Sequence, residues 1–210
     1  MRREQIVEAA QAAFAEHGYA GASTKDIARR SGLTEGLLYH YYPSKAALLR
    51  AVVTRKSSFV GDALVTLDRS GARPVAAVIL ELGLGLSRQL RSEKALVGVL
   101  IGEAQTNLEL YELHGAMTDE VVGRLAAELD RRVAAGELRP GLASAAAARG
   151  FFGGLMMFFM GHWRLDEASW QQQSESFVRA WVDTWLHGLY RPDVDAAGAP
   201  RKTTLKRSVR

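Results

Sequence analysis

Apolar side chains at Ile6, Val7, Ala10, Ala13 and Phe14 fall three and four residues apart, which places them on one face of an α-helix. His17 and Gly18 close that helix with a basic last turn and a C-cap glycine. Ser23 precedes a second short helix, "TKDIARR", with Asp26 three positions on in a capping-box arrangement, Ile27 and Ala28 facing inward and Gly32 ending it. A third helix spans about 34–41 and stops before Pro43, because proline biases the residue ahead of it away from helical backbone. Ser44 restarts the chain as an N-cap, and an apolar stripe from Leu48 to Leu67 predicts one long connecting helix that ends near "RSGARP". Beyond Pro74 the pattern predicts helices at about 75–91, 94–111, 115–136, 142–164 and 167–189. No segment alternates with a period of two, so the expected fold class is all-α.

Composition changes this picture little: 48% hydrophobic and 24% charged residues are ordinary for a globular protein, and the absence of cysteine excludes disulfides and thiolate zinc sites. The start "MRREQIVEAAQAAF" carries charges where a secretory signal needs an apolar core, and the apolar run 150–161 is too short to span a bilayer. A cytoplasmic location with no membrane partner is the expectation. Charge is more informative. Residues 1–56 carry 9 basic and 5 acidic side chains, residues 57–200 carry 13 and 18, and the last ten residues add 5 basic groups and no acidic ones. Positive potential at the N-terminal part suits a polyanionic partner.

The helices at 24–30 and 34–41, joined by "SGL", make a helix-turn-helix, in which Gly32 supplies the permissive backbone and Ala28, Leu33 and Leu38 lock the pair. The run "STKDIARRSGLTEGLLYHYYPSKAALLRAV" from Ser23 to Val52, preceded by a helix ending in "FAEHGYAGAS", resembles the DNA-binding domain of the TetR (tetracycline repressor) family over about 50 residues. The resemblance implies double-stranded operator DNA as partner. It assigns Thr24 and Lys25 to phosphate or nearby base contacts, Lys45 to a phosphate beside the next helix start, and Tyr39 and Tyr41 (with Tyr42 as a further candidate) to the nucleic-acid backbone. Thr34, Glu35, Gly36, Leu37 and His40 are the candidates for reading base edges: a glutamate accepts from a cytosine amino group, a leucine meets a thymine methyl, and a glycine permits close approach. Some of the tyrosines are alternatively packing groups of a three-helix domain.

These readings divide the chain into a DNA-binding domain at 1–46, a helical ligand-binding and dimerisation domain at 47–190, and a basic tail at 191–210 with too little apolar surface to order itself. The helix at 142–164 is apolar nearly all round through "FFGGLMMFFMGHW" and must be covered on both sides. The resemblance implies that the last two long helices pair with those of a second copy. Phe177, Val178, Trp181, Val182, Trp185 and Leu189 form the stripe expected to make this homodimer. Met156, Phe158, Phe159, Met160 and Trp163 are expected to line a cavity for a largely apolar or aromatic effector. Glu103, Asn107 and Tyr111, four residues apart on one expected helix, stand either at its edge or on a solvated face.

The expected function is that of a ligand-responsive regulator, most simply a repressor released from a palindromic operator. An all-helical carrier or enzyme with a structural helix-turn-helix is the alternative, and a peripheral protein held to anionic lipid by its tail is a third; neither uses Ser23 to Lys45. No triad order, phosphate-binding glycine loop or carboxylate pair suggests catalysis, so no enzyme activity and no cofactor are expected. His114 and His162 lack spaced partners, and no metal site is expected.

Overall fold

The computed structural model describes residues 2–55 and 58–187, the side chains of 58–60, 62 and 64 excepted. Among the described residues the chain is helical and without strands, in the order α1 (Arg2–Gly21), α2 (Thr24–Arg30), α3 (Glu35–Tyr41), α4 (Lys45–Arg55), α5 (Ser58–Asp68), α6 (Val75–Ser92), α7 (Lys94–Glu103), α8 (Leu108–Ala134), α9 (Ser144–His162) and α10 (Glu167–His187). None of these helices is long and apolar enough to cross a membrane. Leu189 and the basic tail at 191–210 lie outside the described residues.

Local chemistry explains most boundaries. Gly18 takes φ +67°, bending α1 where a C-cap glycine was expected. After α2, Leu33 N–H donates to Ala28 O at 2.8 Å and Gly32 N–H to Arg29 O at 3.1 Å, with Gly32 at φ +67°. This is the paired hydrogen-bond pattern of a helix end that requires a left-handed residue, and it sets the angle between α2 and α3. Thr34 and Ser44 cap α3 and α4, accepting from Leu37 N–H at 3.3 Å and Ala47 N–H at 2.9 Å. The capping box expected at Ser23 does not form: Ser23 makes no side-chain cap bond, and Asp26 instead holds Arg29 and Arg30. Two guanidiniums within one helical turn outcompete a backbone N–H for the carboxylate.

One apolar core joins α1–α4 and reaches Leu100 of α7 and Leu110 of α8. A second joins α5, α6, α8, α9 and α10, and Leu90, Phe159 and Trp170 form a third. The expected helix at 94–111 instead ends at Glu103, and α8 begins after Asn107, whose side-chain oxygen accepts from Leu110 N–H at 3.2 Å. The asparagine is a cap, which periodicity alone does not reveal.

Candidate nucleic-acid interface and effector cavity

Helices α1–α4 form an N-terminal head that presents one face of α3 outward. Leu38 is fully buried as the lock between α2 and α3, while Thr34, Glu35, Gly36, Leu37, Tyr39 and His40 are all exposed. Lys25 is exposed at the start of α2, and Gly36 is open enough that a Cβ there would meet nothing within 4 Å. Thr24 Oγ1 donates to Glu35 Oε1 at 2.7 Å and lies 3.2 Å from the Tyr39 hydroxyl, so Thr24 joins two other expected DNA-contacting residues across the α2–α3 junction. Tyr41 and Tyr42 are half-buried against the head core, and the Arg3 guanidinium sits 5.9 Å from the Tyr42 ring centre.

Lys45 is placed differently from the others. Its ammonium donates to Ala20 O at 3.3 Å and lies 4.5 Å above the Tyr19 ring, and burial pushes its pKa below the usual 10.5 although Glu103 acts in the opposite direction. Contact with a phosphate would require the side chain to leave this seat. Arg30 is committed to Asp26 at 2.7 Å and Glu16 at 2.8 Å, which removes it from the free positive charge of the head.

The interior holds a small apolar cavity of about 60 Å³ between α4, α6, α7, α8 and α9. Val53, Leu90, Leu96, Val97, Leu100, Ile101, Met117, Phe152 and Met156 form its apolar wall, with Glu93, His114 and Thr118 as the polar groups. Burial pushes the His114 pKa below 6.5, so its neutral form is favoured. Of the residues expected to line a cavity, only Met156 does so. Phe158 stacks between Phe177 and His162, with ring centres 4.3 Å away on each side. Phe159 is fully buried against Trp170 and Leu90. Met160 is 44% exposed, and Trp163 covers α7 so closely that a Cβ on Gly98 would lie 2.6 Å from its ring. Glu103, Asn107 and Tyr111 do not share a helix face, because the chain breaks between α7 and α8, and Tyr111 is exposed. The cavity residues that the sequence reading missed had one signal: His114 and Thr118 interrupt the inward stripe of α8 that runs through Leu110, Met117 and Val121.

The stripe expected to form the dimer contact packs largely within the protomer. Val178 and Val182 belong to the core, with Val178 against Gly83 of α6. The Trp181 and Trp185 indole N–H groups donate to Phe151 O at 3.2 Å and Ala147 O at 3.1 Å of α9. The reason is that α10 has one wide apolar stripe, and α6 and α9 occupy it. Apolar surface is left uncovered on α9, where Met157 is 72% exposed and Gly150, Gly153, Met160 and Gly161 are exposed around it, and on α8 at Leu108 and Tyr111.

Residues 6–52 match the family model described as bacterial regulatory proteins, tetR family. The HTH-type transcriptional repressor AcnR of Corynebacterium efficiens is 28% identical over 100 residues, 43% of this chain and 52% of that protein. The HTH-type transcriptional regulator BetI of Serratia proteamaculans is 38% identical over 84 residues, 38% of this chain and 42% of that protein. The matched part thus spans about half the length of these curated relatives or less. Among solved structures, Salmonella enterica GusR shares the fold with a TM-score of 0.72, at 23% identity over 89% of this chain and 96% of its own.

Proposed function

We propose that this chain, whose residues 6–52 match the tetR family of bacterial regulatory proteins, is a homodimeric transcriptional regulator, a repressor that a largely apolar small molecule releases from operator DNA. The observation that carries the reading is the α3 face: the cap Thr34 and five helix positions, Glu35 to Leu37 with Tyr39 and His40, stand exposed, and the only fully buried residue of the helix is Leu38. A helix anchored in this way can enter a major groove with its first turn on base edges, and Lys25 at the neighbouring helix start suits a phosphate.

The cavity supports the effector part. Val53 lines it from α4, and the same helix contributes Leu48, Leu49 and Val52 to the core of the DNA-reading head, so a molecule in the cavity presses on an element that carries the head. Its wall suits an apolar body with one hydrogen-bonding group, met by His114, Thr118 or Glu93. At about 60 Å³ it is far below the roughly 300–1,000 Å³ of sites that hold drug-sized ligands, so binding requires the surrounding helices to part. That requirement gives the ligand different affinities for two conformations, without which it could not shift the DNA-binding equilibrium.

The uncovered Met157 face of α9 supports pairing with a second copy, and a two-fold dimer implies an inverted-repeat operator. The test is a gel-shift and footprint of the purified chain on the DNA upstream of its own gene, with apolar, cationic and anionic compounds added in turn. Protection of an inverted repeat, lost on adding an apolar compound, is the expected result; absence of any footprint would sink the reading. A helical carrier or enzyme is not favoured, because it leaves the exposed face of α3 without a use.

A further inference from the structure

We propose that Thr24, Glu35 and Tyr39 form a prearranged acceptor that selects a cytosine in each operator half-site, with Glu35 as the reader and Thr24 as its positioning residue. This rests on the reading of the chain as a DNA-binding regulator and names a base pair it recognises. Thr24 opens α2 and Glu35 opens α3, so the hydroxyl and the carboxylate meet where both helices begin. Their bond is 2.7 Å, and the Tyr39 hydroxyl is 3.2 Å from the same threonine oxygen. The carboxylate can only accept, so the single threonine proton goes to Glu35, and Tyr39 must therefore donate to Thr24. The chain of donors has one direction and ends on the Glu35 carboxylate.

Among the described residues no basic side chain pairs with Glu35, and the residue is exposed. One carboxylate lone pair is used by Thr24, and the rest remain for a donor from outside. That donor is not a phosphate, which is anionic. In the major groove thymine and guanine offer their polar edges as acceptors, and adenine sets its N7 acceptor beside its amino group. Cytosine alone presents an amino donor without an acceptor on the same base, so it is the base that a pure acceptor prefers. Holding the carboxylate through Thr24 and Tyr39 before DNA arrives reduces the side-chain ordering that binding would otherwise require. Gly36, beside Glu35, leaves open space for the base edge to approach.

The experiment is selection of sites by the full chain from a duplex library randomised across two half-sites, repeated with Glu35→Gln, Thr24→Val and Thr24→Ser, each first checked for folding by circular dichroism. Wild type should enrich a site with one cytosine position per half-site, at which changing C·G to T·A weakens binding by about 5- to 150-fold. Glu35→Gln should move the preference at that position alone toward adenine, whose amino group and N7 match a side-chain amide. Thr24→Val should flatten the cytosine preference there, and Thr24→Ser should restore it. A selected site whose base profile is the same for wild type and Glu35→Gln, or that Thr24→Val leaves unaltered, overturns this inference and leaves the regulator reading intact. Failure of wild type to enrich any sequence overturns both.

Discussion

A glycine in mid-helix costs about 1 kcal/mol relative to alanine, and α6 carries two of them for different reasons. A Cβ at Gly83 would lie 2.9 Å from Val178 Cγ1 and 3.3 Å from the Phe151 ring, whereas at Gly85 it would meet nothing within 4 Å. Gly83→Ala should therefore destabilise the fold, since overpacking of about 1–3 kcal/mol exceeds the gain in helix propensity. Gly85→Ala should stabilise it by up to about 1 kcal/mol. Urea unfolding of the two variants checks the opposite signs. His114 supplies a pH prediction. Its folded pKa lies below 6.5, so as pH falls under that value the unfolded chain takes up a proton that the folded chain refuses. Its contribution to stability is intact above 6.5 and declines from there down to the folded pKa, below which it levels off. His114→Leu should unfold with a shallower pH dependence than wild type across this window, and equal slopes would show that burial of the histidine has no such effect.

The division of faces on α9 and α10 decides what each helix does. Phe151, Phe152, Leu155 and Phe159 point α9 into the protein, and Met157 and Met160 point out of it. Only the Phe152 and Met156 edge reaches the cavity. Met156→Trp should fill that space and abolish the effector's release of DNA while ligand-free DNA binding persists. Phe158→Ala should instead lower stability, by roughly 3–5 kcal/mol at most for a large-to-small aromatic change, without removing the response, because Phe158 stacks on Phe177 and His162 away from the cavity. Fluorescence titration with an apolar compound and a parallel gel-shift separate the two outcomes; a normal response in Met156→Trp would place the effector elsewhere.

At the scale of the whole molecule, the reading head and the rest of the chain are physically continuous: Leu100 of α7 and Leu110 of α8 complete the head's core, and Arg50 of α4 lies 3.7 Å from Glu109 of α8. Any rearrangement of α7 around a ligand is thus felt by the head. Assembly gives the clearest test at this scale. Met157→Glu puts a charge on the uncovered α9 face and should yield folded monomers in analytical ultracentrifugation with much weakened operator binding. Trp181→Glu, by contrast, should unfold the protomer, since it removes the bond to Phe151 O and the ring that lies over Gly154, where a Cβ would sit 2.6 Å away. A Met157→Glu dimer of unchanged affinity would move the interface to another surface.

The features legible along the chain were those that depend on neighbours a few residues away. Helical periodicity, the positive-φ turn at Gly32, the cap at Ser44 and the stop before Pro43 all follow from local sterics and hydrogen bonds, and together they revealed the helix-turn-helix and its exposed residues. Partnership between distant helices was not legible, because an apolar stripe says that a face is covered and does not say by what. Val178 and Val182 were expected at a dimer contact, and the approach of α6 at Gly83 put them in the core instead. The aromatic run of α9 likewise had more apolar surface than one cavity uses, and tertiary packing sent Phe159 to Trp170, Phe158 to Phe177 and Met157 to the surface. Lys45 shows the same limit at a single residue: its charge and position suited a phosphate, and the fold of α1 brought the Tyr19 ring and Ala20 carbonyl within reach first.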